Sequence, residues 1–194
     1  MNLPNKITVT RIFLIFVFLV LASIGHINEQ PGNTFPYWCH VIAYWVGFFA
    51  ACTDFVDGWI ARKYNLVTTF GALMDPLADK IYVAATYIMM VHADTVPAYV
   101  GIIIISREFM VTGLRQLAAK EGVVIAADKL GKIKTILQML IIGVSGACWI
   151  QLGGLTVAKA GFLYQLTLVA VAVVTVWSGA SYFIRYRDLY LKDA

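Results

Sequence analysis

Charged residues are scarce in this chain of 194 residues, and cysteine and histidine are rarer still. Only 13% of the residues are charged and 60% are hydrophobic, whereas soluble domains carry about 25% charged residues. Cys39, Cys52 and Cys148 are scattered among apolar residues and form neither a metal-ligand spacing nor a disulfide framework. The shortage of charge excludes an ordinary soluble surface and predicts that lipid surrounds most of the protein.

The basic residues that are present cluster in a few short segments and give a formal net charge of +4. This pattern favours an anionic membrane face or a phosphorylated substrate as the partner. We expect no nucleic-acid partner.

Six apolar segments are long enough to cross a membrane, which takes roughly 20 residues. They predict an all-α, polytopic membrane protein with six transmembrane helices in one domain that covers residues 1–194. We expect the first segment to be a retained helix rather than a cleaved signal peptide. The segments are 7–25, 37–61, 70–92, 96–117, 130–150 and 157–183.

Basic residues flank alternate ends of these segments, which indicates the orientation in the membrane. They occur before the first segment, between the second and third, between the fourth and fifth, and after the sixth. Both termini are therefore predicted to be cytoplasmic, and an even number of spans agrees with this because it places both ends on one side.

Four aspartates interrupt the second and third segments: Asp54, Asp57, Asp75 and Asp79. A charged residue in the middle of a membrane helix costs about 2.5–3.5 kcal/mol on insertion scales. At about 1.5 Å per residue, the four lie about 8–14 Å inside the cytoplasmic ends of their helices. Because the two helices are antiparallel neighbours, the four carboxylates can meet at one level, and a ligand must offset their charge.

Clustered carboxylates are the ligands that hard divalent cations prefer, so we predict a site for Mg²⁺ or Mn²⁺. Two ions could clamp a transferring phosphoryl group. Gly58, Ala61 and Gly71 remove side-chain bulk beside the carboxylates, and Arg62 is placed to pair with a phosphate. From the pattern alone, an ion or proton pathway and a purely structural role remain alternatives.

The aspartates belong to a longer pattern in residues 54–79, which read D-F-V-D-G-W-I-A-R, eight residues, and G-A-L-M-D-P-L-A-D. This resembles the signature of the CDP-alcohol phosphotransferase family, D-x-x-D-G-x-x-A-R, eight residues, G-x-x-x-D-x-x-x-D. Every fixed position is filled. Members of that family move a phosphatidyl or similar group from a CDP-linked donor to an alcohol and release CMP.

The resemblance implies a role for each of these residues. Asp54, Asp57 and Asp75 would be metal ligands, and Asp79 would be the general base for the acceptor hydroxyl and would also contact the second of two metal ions. The depth of Asp79, the deepest carboxylate on its helix, agrees with that role. The CDP-lipid site implied in this way consists of Asn5, Thr8, Asp54, Gly58, Ala61, Arg62 and Gly71. For Asn5, a helix cap after Pro4 is the alternative.

Three further segments resemble the bacterial phosphatidylglycerophosphate synthases, a branch of that family. They are N-L-P-N-K-I-T-V-T-R at the start of the chain, S-R-E-F-M-V-T-G-L-R at 106–115 and A-D-K-L-G-K-I-K-T at 127–135. The branch transfers the phosphatidyl group of CDP-diacylglycerol to sn-glycerol 3-phosphate. The resemblance further implies a bacterial inner membrane, an active site that faces the cytoplasm, and a homodimer.

A phosphorylated acceptor fits the local charges, and we predict that Arg107, Arg115, Lys132 and Lys134 bind its phosphate. Arg107 lies about 15 Å inside its helix, level with the aspartates. Glu108 follows it but is expected to point to another face, so a bound phosphate is the better partner for Arg107. Contact with anionic lipid is the alternative for the lysines.

Two classes of alternative function remain open at this point. A sister enzyme could use inositol phosphate, serine or phosphatidylglycerol as its acceptor. A divalent-cation transporter would need acidic residues along a path across the membrane, and here they stop near one face.

Overall fold

Long apolar runs become helices in lipid because a helix satisfies every backbone polar group within its own segment. The computed structural model describes residues 3–28, 32–63, 69–122 and 129–187, with their side chains except at 3–4, 54–63, 69–70, 72–73, 120 and 129–130. Within this part of the chain there are six long α-helices, one 3-10 helix at Leu152–Gly154 and no strand. The long helices are α1 (Leu3–Ile27), α2 (Phe35–Lys63), α3 (Thr69–His92), α4 (Ala98–Lys120), α5 (Lys129–Trp149) and α6 (Val157–Arg185).

Each of the six predicted segments overlaps one of these helices, so the all-α fold is confirmed. Four helices are long and apolar enough to cross a membrane: Asn5–Ile27, Phe35–Thr53, Gly131–Trp149 and Val157–Arg185. The helices α3 and α4 are of similar length but carry more charged residues. By composition alone, α3 and α4 therefore do not qualify as membrane spans.

The outer surface of the bundle is apolar over most of its described length. Large side chains such as Phe13, Phe162 and Trp177 are 66%, 78% and 68% exposed, respectively. A contiguous apolar surface of this extent is unfavourable in water and favourable in lipid. The chain is therefore a multi-pass membrane protein.

The helix α3 is central to the packing and contacts α1, α2, α4 and α5. The helix α1 lies along α2, whereas α4 and α5 both pack against α6. The buried Tyr164 hydroxyl connects α6 to α5 and to the segment between α3 and α4. It lies 2.5 Å from the Ser145 hydroxyl and donates to the carbonyl of Thr95 at 2.8 Å. The first half of α3 lies opposite the first half of α5, because Asp79 and Lys134 line the same cavity.

The two ends of the bundle differ in chemistry. His26 and His92, at the ends of α1 and α3, lie with their ring centroids 4.0 Å apart, and His40 lines the same small cavity of about 160 Å³. Asp75 and Asp79 lie near the opposite end, in the first half of α3. The three cysteines are free, in agreement with the prediction.

Candidate active site

The acidic face of α3 carries two of the predicted site residues. Asp75 and Asp79 are one helical turn apart, so they point to the same side, and both side chains are exposed. Pro76 lies between them inside a continuous helix, and the Lys80 ammonium donates to the Pro76 carbonyl at 3.2 Å. The face therefore presents carboxylate oxygens to the space beside α3.

The start of α1 lies against this face. The Thr8 hydroxyl donates to Oδ1 of Asp75 at 2.7 Å, and Thr8 is almost fully buried. Asn5 is also buried, and because α1 begins at Leu3, it lies inside the helix. The interpretation of Asn5 as a helix cap is therefore wrong, and Thr8 instead fixes the orientation of one carboxylate.

Several predicted residues lie outside the described side chains: Asp54, Asp57, Gly58, Ala61 and Arg62. Their backbone belongs to α2, and Gly71 on α3 is buried. Among the described side chains no group of three or more candidate metal donors lies together. The donors that are described nevertheless fit a hard divalent cation, because Asp75 and Asp79 offer carboxylate oxygens on one face.

A cavity of about 450 Å³ opens beside Asp79, between α3, α4, α5 and α6. This volume is within the range of small-molecule sites. Its described charged lining consists of five basic and two acidic side chains, which leaves it positive. These seven residues are Lys80, Arg107, Arg115, Lys132, Lys134, Asp79 and Glu108.

All four residues predicted to bind the acceptor phosphate are thus brought together, and Asp79 lines the same cavity. Lys134 is almost fully buried, whereas Lys132 is exposed at the rim. A buried ammonium needs an anionic partner, because burial in an apolar bundle disfavours an isolated charge.

The orientation of Glu108 differs from the expectation. Its carboxylate forms an ion pair with the Lys134 ammonium, and the same oxygen lies 3.8 Å from Nη1 of Arg107. Neighbouring residues on a helix diverge by about 100°, but long side chains on the two flanks of a cavity can both bend into it. The prediction that Glu108 points away is therefore wrong.

The helix α6 supplies polar contacts that the sequence analysis did not identify. Nη2 of Arg107 donates to the Ser178 hydroxyl at 2.9 Å, and Nη2 of Arg115 donates to the Tyr182 hydroxyl at 3.3 Å. Both guanidinium groups also approach the Tyr182 ring, at 5.9 and 5.7 Å from its centroid. Such contacts hold each arginine in a defined direction. Ser178 and Tyr182 occupy one face of α6, and nothing in the local sequence indicates which helix that face meets.

A family model described as CDP-alcohol phosphatidyltransferase matches residues 1–179. The chain belongs to the CDP-alcohol phosphatidyltransferase family. The expectation drawn from residues 54–79 is thereby confirmed, and the acidic face of α3 lies within the matched region.

Relatives in this family match nearly the whole chain. A Bacillus subtilis protein is 45% identical over 185 residues, which covers 94% of this chain and 93% of the relative. A Rickettsia typhi protein is 37% identical over 187 residues (94% and 95%), and a Haemophilus influenzae protein is 35% identical over 188 residues (93% and 91%). All three are named CDP-diacylglycerol–glycerol-3-phosphate 3-phosphatidyltransferase.

The hydrogen bond from Thr8 to Asp75 leads to a first prediction. Groups that orient a metal ligand typically contribute a factor of about 10–100 to metal affinity. We therefore expect Thr8→Val to raise by about 10-fold the Mg²⁺ concentration needed for half-maximal thermal stabilisation of the detergent-purified protein.

Thr10→Val is the matched control, because Thr10 is exposed on the same helix. Thr8→Ser keeps the hydroxyl and should restore most of the affinity. An unchanged Mg²⁺ midpoint in Thr8→Val would show that the orientation of Asp75 does not matter for the cation.

Proposed function

We propose that this chain transfers the phosphatidyl group of CDP-diacylglycerol to sn-glycerol 3-phosphate, which yields phosphatidylglycerophosphate and CMP. The observation that carries the proposal is the basic cavity into which Asp79 projects beside Arg107, Arg115, Lys132 and Lys134. A carboxylate beside a cationic pocket suits an acceptor with a hydroxyl at one end and a phosphate at the other. The reaction named for the relatives in three bacteria supports the same acceptor.

The proposed topology has six spans in one domain over residues 1–194, with α3 and α4 crossing the membrane beside the four more apolar helices. The charged residues of α3 and α4 that line the cavity face the bundle interior rather than lipid, which supports their crossing. The positive-inside pattern supports cytoplasmic termini and a cavity that opens toward the cytoplasm. The family resemblance supports a homodimer in a bacterial inner membrane.

For the metal we propose Mg²⁺ or Mn²⁺, two ions per site, held by Asp54, Asp57 and Asp75 with Asp79 beside the second ion. Divalent cations, when bound, neutralise the diphosphate of the donor. Thr8 supports this arrangement because it holds one oxygen of Asp75 and leaves the other available.

For the CDP-lipid we propose a site along α2 and the start of α3, formed by Gly58, Ala61, Arg62 and Gly71 together with Asp54. The small residues let the diphosphate approach the helix backbone, and Arg62 pairs with it. Thr8 bonds to Asp75, and Asn5 is buried one turn before Thr8 on the same side of α1, which supports a place for both beside the nucleotide.

In the proposed mechanism the acceptor phosphate binds in the basic cavity and its free hydroxyl lies at Asp79. Asp79 accepts the proton as the hydroxyl oxygen attacks the phosphorus that carries diacylglycerol. The bond from that phosphorus to the CMP oxygen breaks, and CMP leaves. The described lining of the cavity contains no Ser, Cys or His that could form a covalent intermediate, so a single displacement is favoured.

The test is CMP release by the detergent-purified protein with CDP-diacylglycerol and Mg²⁺. Glycerol 3-phosphate, inositol phosphate, serine and phosphatidylglycerol are compared as acceptors. We expect CMP with glycerol 3-phosphate, and its loss when a chelator removes the divalent cation. Release with another alcohol instead would identify a sister enzyme, and cation flux without CMP release by the same protein in sealed liposomes would favour a transporter.

The proposed base gives a second prediction. Asp79→Asn keeps the size of the side chain but cannot accept the proton, so we expect CMP release to fall about 10²–10⁴-fold. Thermal stabilisation by Mg²⁺ should be largely retained. Asp94→Asn, at the opposite end of the bundle, is the matched control because Asn adopts the positive φ of Asp94 equally well. Activity of Asp79→Asn near that of the unmodified protein would exclude the proposed base.

The charge of the cavity gives a third prediction. Lys134→Met removes one positive charge, and we expect the KM for glycerol 3-phosphate to rise about 10-fold or more, with little change in the KM for CDP-diacylglycerol. Glu108→Gln removes a competing carboxylate from the same cavity and should lower the acceptor KM.

Lys159→Met is the control, because the Lys159 ammonium donates to the Gly154 carbonyl beyond the far end of α5. If Lys134→Met raised both KM values equally, the ion pair would serve the fold rather than the acceptor.

A further inference from the structure

Gln138 is a buried amide in the wall of the basic cavity and has no role so far. Its side chain is 2% exposed, and it lines the cavity together with Asp79 and Lys134. The side-chain nitrogen Nε2 makes no hydrogen bond. A buried amide without a partner is unfavourable, so such groups normally bond to protein, water or ligand.

The backbone around Gln138 is held firmly. Its carbonyl accepts a hydrogen bond from the buried Tyr87 hydroxyl at 3.2 Å, which ties α5 to α3 at this level. The backbone of Gln138 is therefore fixed by its neighbours, whereas its side-chain Nε2 has no hydrogen-bond partner among them.

The other neutral polar groups of the described lining are already used inside the protein. The Thr135 hydroxyl donates to the Gly131 carbonyl at 2.9 Å, and the Tyr182 hydroxyl accepts from Arg115 at 3.3 Å. Among the described neutral polar side chains of this wall, Gln138 is therefore the one whose nitrogen can still hydrogen-bond a neutral group of a ligand.

The position of Gln138 allows it to contact a short chain molecule bound in the cavity. Gln138 follows Lys134 by one turn on the same face of α5, about 6 Å further along the axis. Asp79, Lys134 and Gln138 line one cavity, so a molecule with its phosphate at Lys134 and its attacking hydroxyl at Asp79 would occupy space that the amide also borders. An amide can both donate to a hydroxyl and accept from it.

We propose that Gln138 hydrogen-bonds the middle hydroxyl of the acceptor and so selects a polyol phosphate over a phosphorylated alcohol without that hydroxyl. The inference rests on the proposed function, because it assigns a contact to the same acceptor. In this role Gln138 determines specificity and takes no part in proton transfer.

The test compares two acceptors in two proteins. Glycerol 3-phosphate and 3-hydroxypropyl phosphate differ only in the middle hydroxyl. For the unmodified protein we expect kcat/KM to be about 10–100-fold lower with 3-hydroxypropyl phosphate, because the amide then has no partner. For Gln138→Met we expect the kcat/KM values for the two acceptors to lie within about 3-fold of each other, mainly because kcat/KM for glycerol 3-phosphate falls.

A purely structural role would lower kcat/KM for both acceptors by the same factor, so an unchanged ratio in Gln138→Met would overturn the inference. Gln165→Met is the matched control, since Gln165 is exposed on α6, and it should retain the ratio of the unmodified protein.

If Gln138→Met does not fold, the comparison of the two acceptors in the unmodified protein still tests the inference. Equal use of both acceptors there would show that the hydroxyl is not recognised, and would overturn the inference for Gln138 alone. No CMP release with glycerol 3-phosphate from the folded, unmodified protein would overturn the proposed function and, with it, this inference.

Discussion

Charged side chains inside a helical bundle with an apolar outer surface need partners close at hand, because lipid offers none. In this protein the partners are found between α3, α4, α5 and α6. Lys134 pairs with Glu108, Arg107 bonds to Ser178, and Arg115 bonds to Tyr182. These polar contacts connect α4 with α5 and α6, in addition to apolar packing.

The same constraint explains why acidic and basic groups share one end of the bundle. Asp75 and Asp79 project from α3 toward a space that cations can reach, and Thr8 holds Asp75 from the side of α1. The basic groups lie on the other side of Asp79, around the cavity of about 450 Å³. A carboxylate at this boundary can contact both a cation-bound diphosphate and the hydroxyl of an anionic acceptor.

The excess of positive charge in the cavity has a consequence for selectivity. With five basic and two acidic groups in its described lining, the cavity favours an anion over a neutral alcohol such as serine. Glu108 moderates this excess, because its carboxylate pairs with the Lys134 ammonium. By charge alone the cavity would bind any small phosphorylated alcohol. Discrimination among such alcohols therefore depends on its neutral groups.

The sequence by itself determined the helices and the chemical type of the site. Apolar length predicted six segments that overlap α1 to α6, and the eight fixed positions within residues 54–79 predicted the family. The depth of Arg107 and the lysines at the start of the fifth segment predicted a phosphorylated acceptor, and the four residues predicted to bind its phosphate line one cavity. These features are local, because the hydropathy of a segment and the spacing on one helix do not depend on the neighbours.

Only the tertiary structure decided which faces meet. The periodicity of α4 separates Arg107 from Glu108 by about 100°, yet both side chains reach the cavity, where one carboxylate oxygen of Glu108 contacts both Arg107 and Lys134 of α5. Thr8 and Asp75 are far apart in the chain, so no local pattern indicates the hydrogen bond between them, and no motif surrounds Gln138. The rotation of each helix about its axis depends on packing against all the others, and this decides which polar groups remain for a ligand.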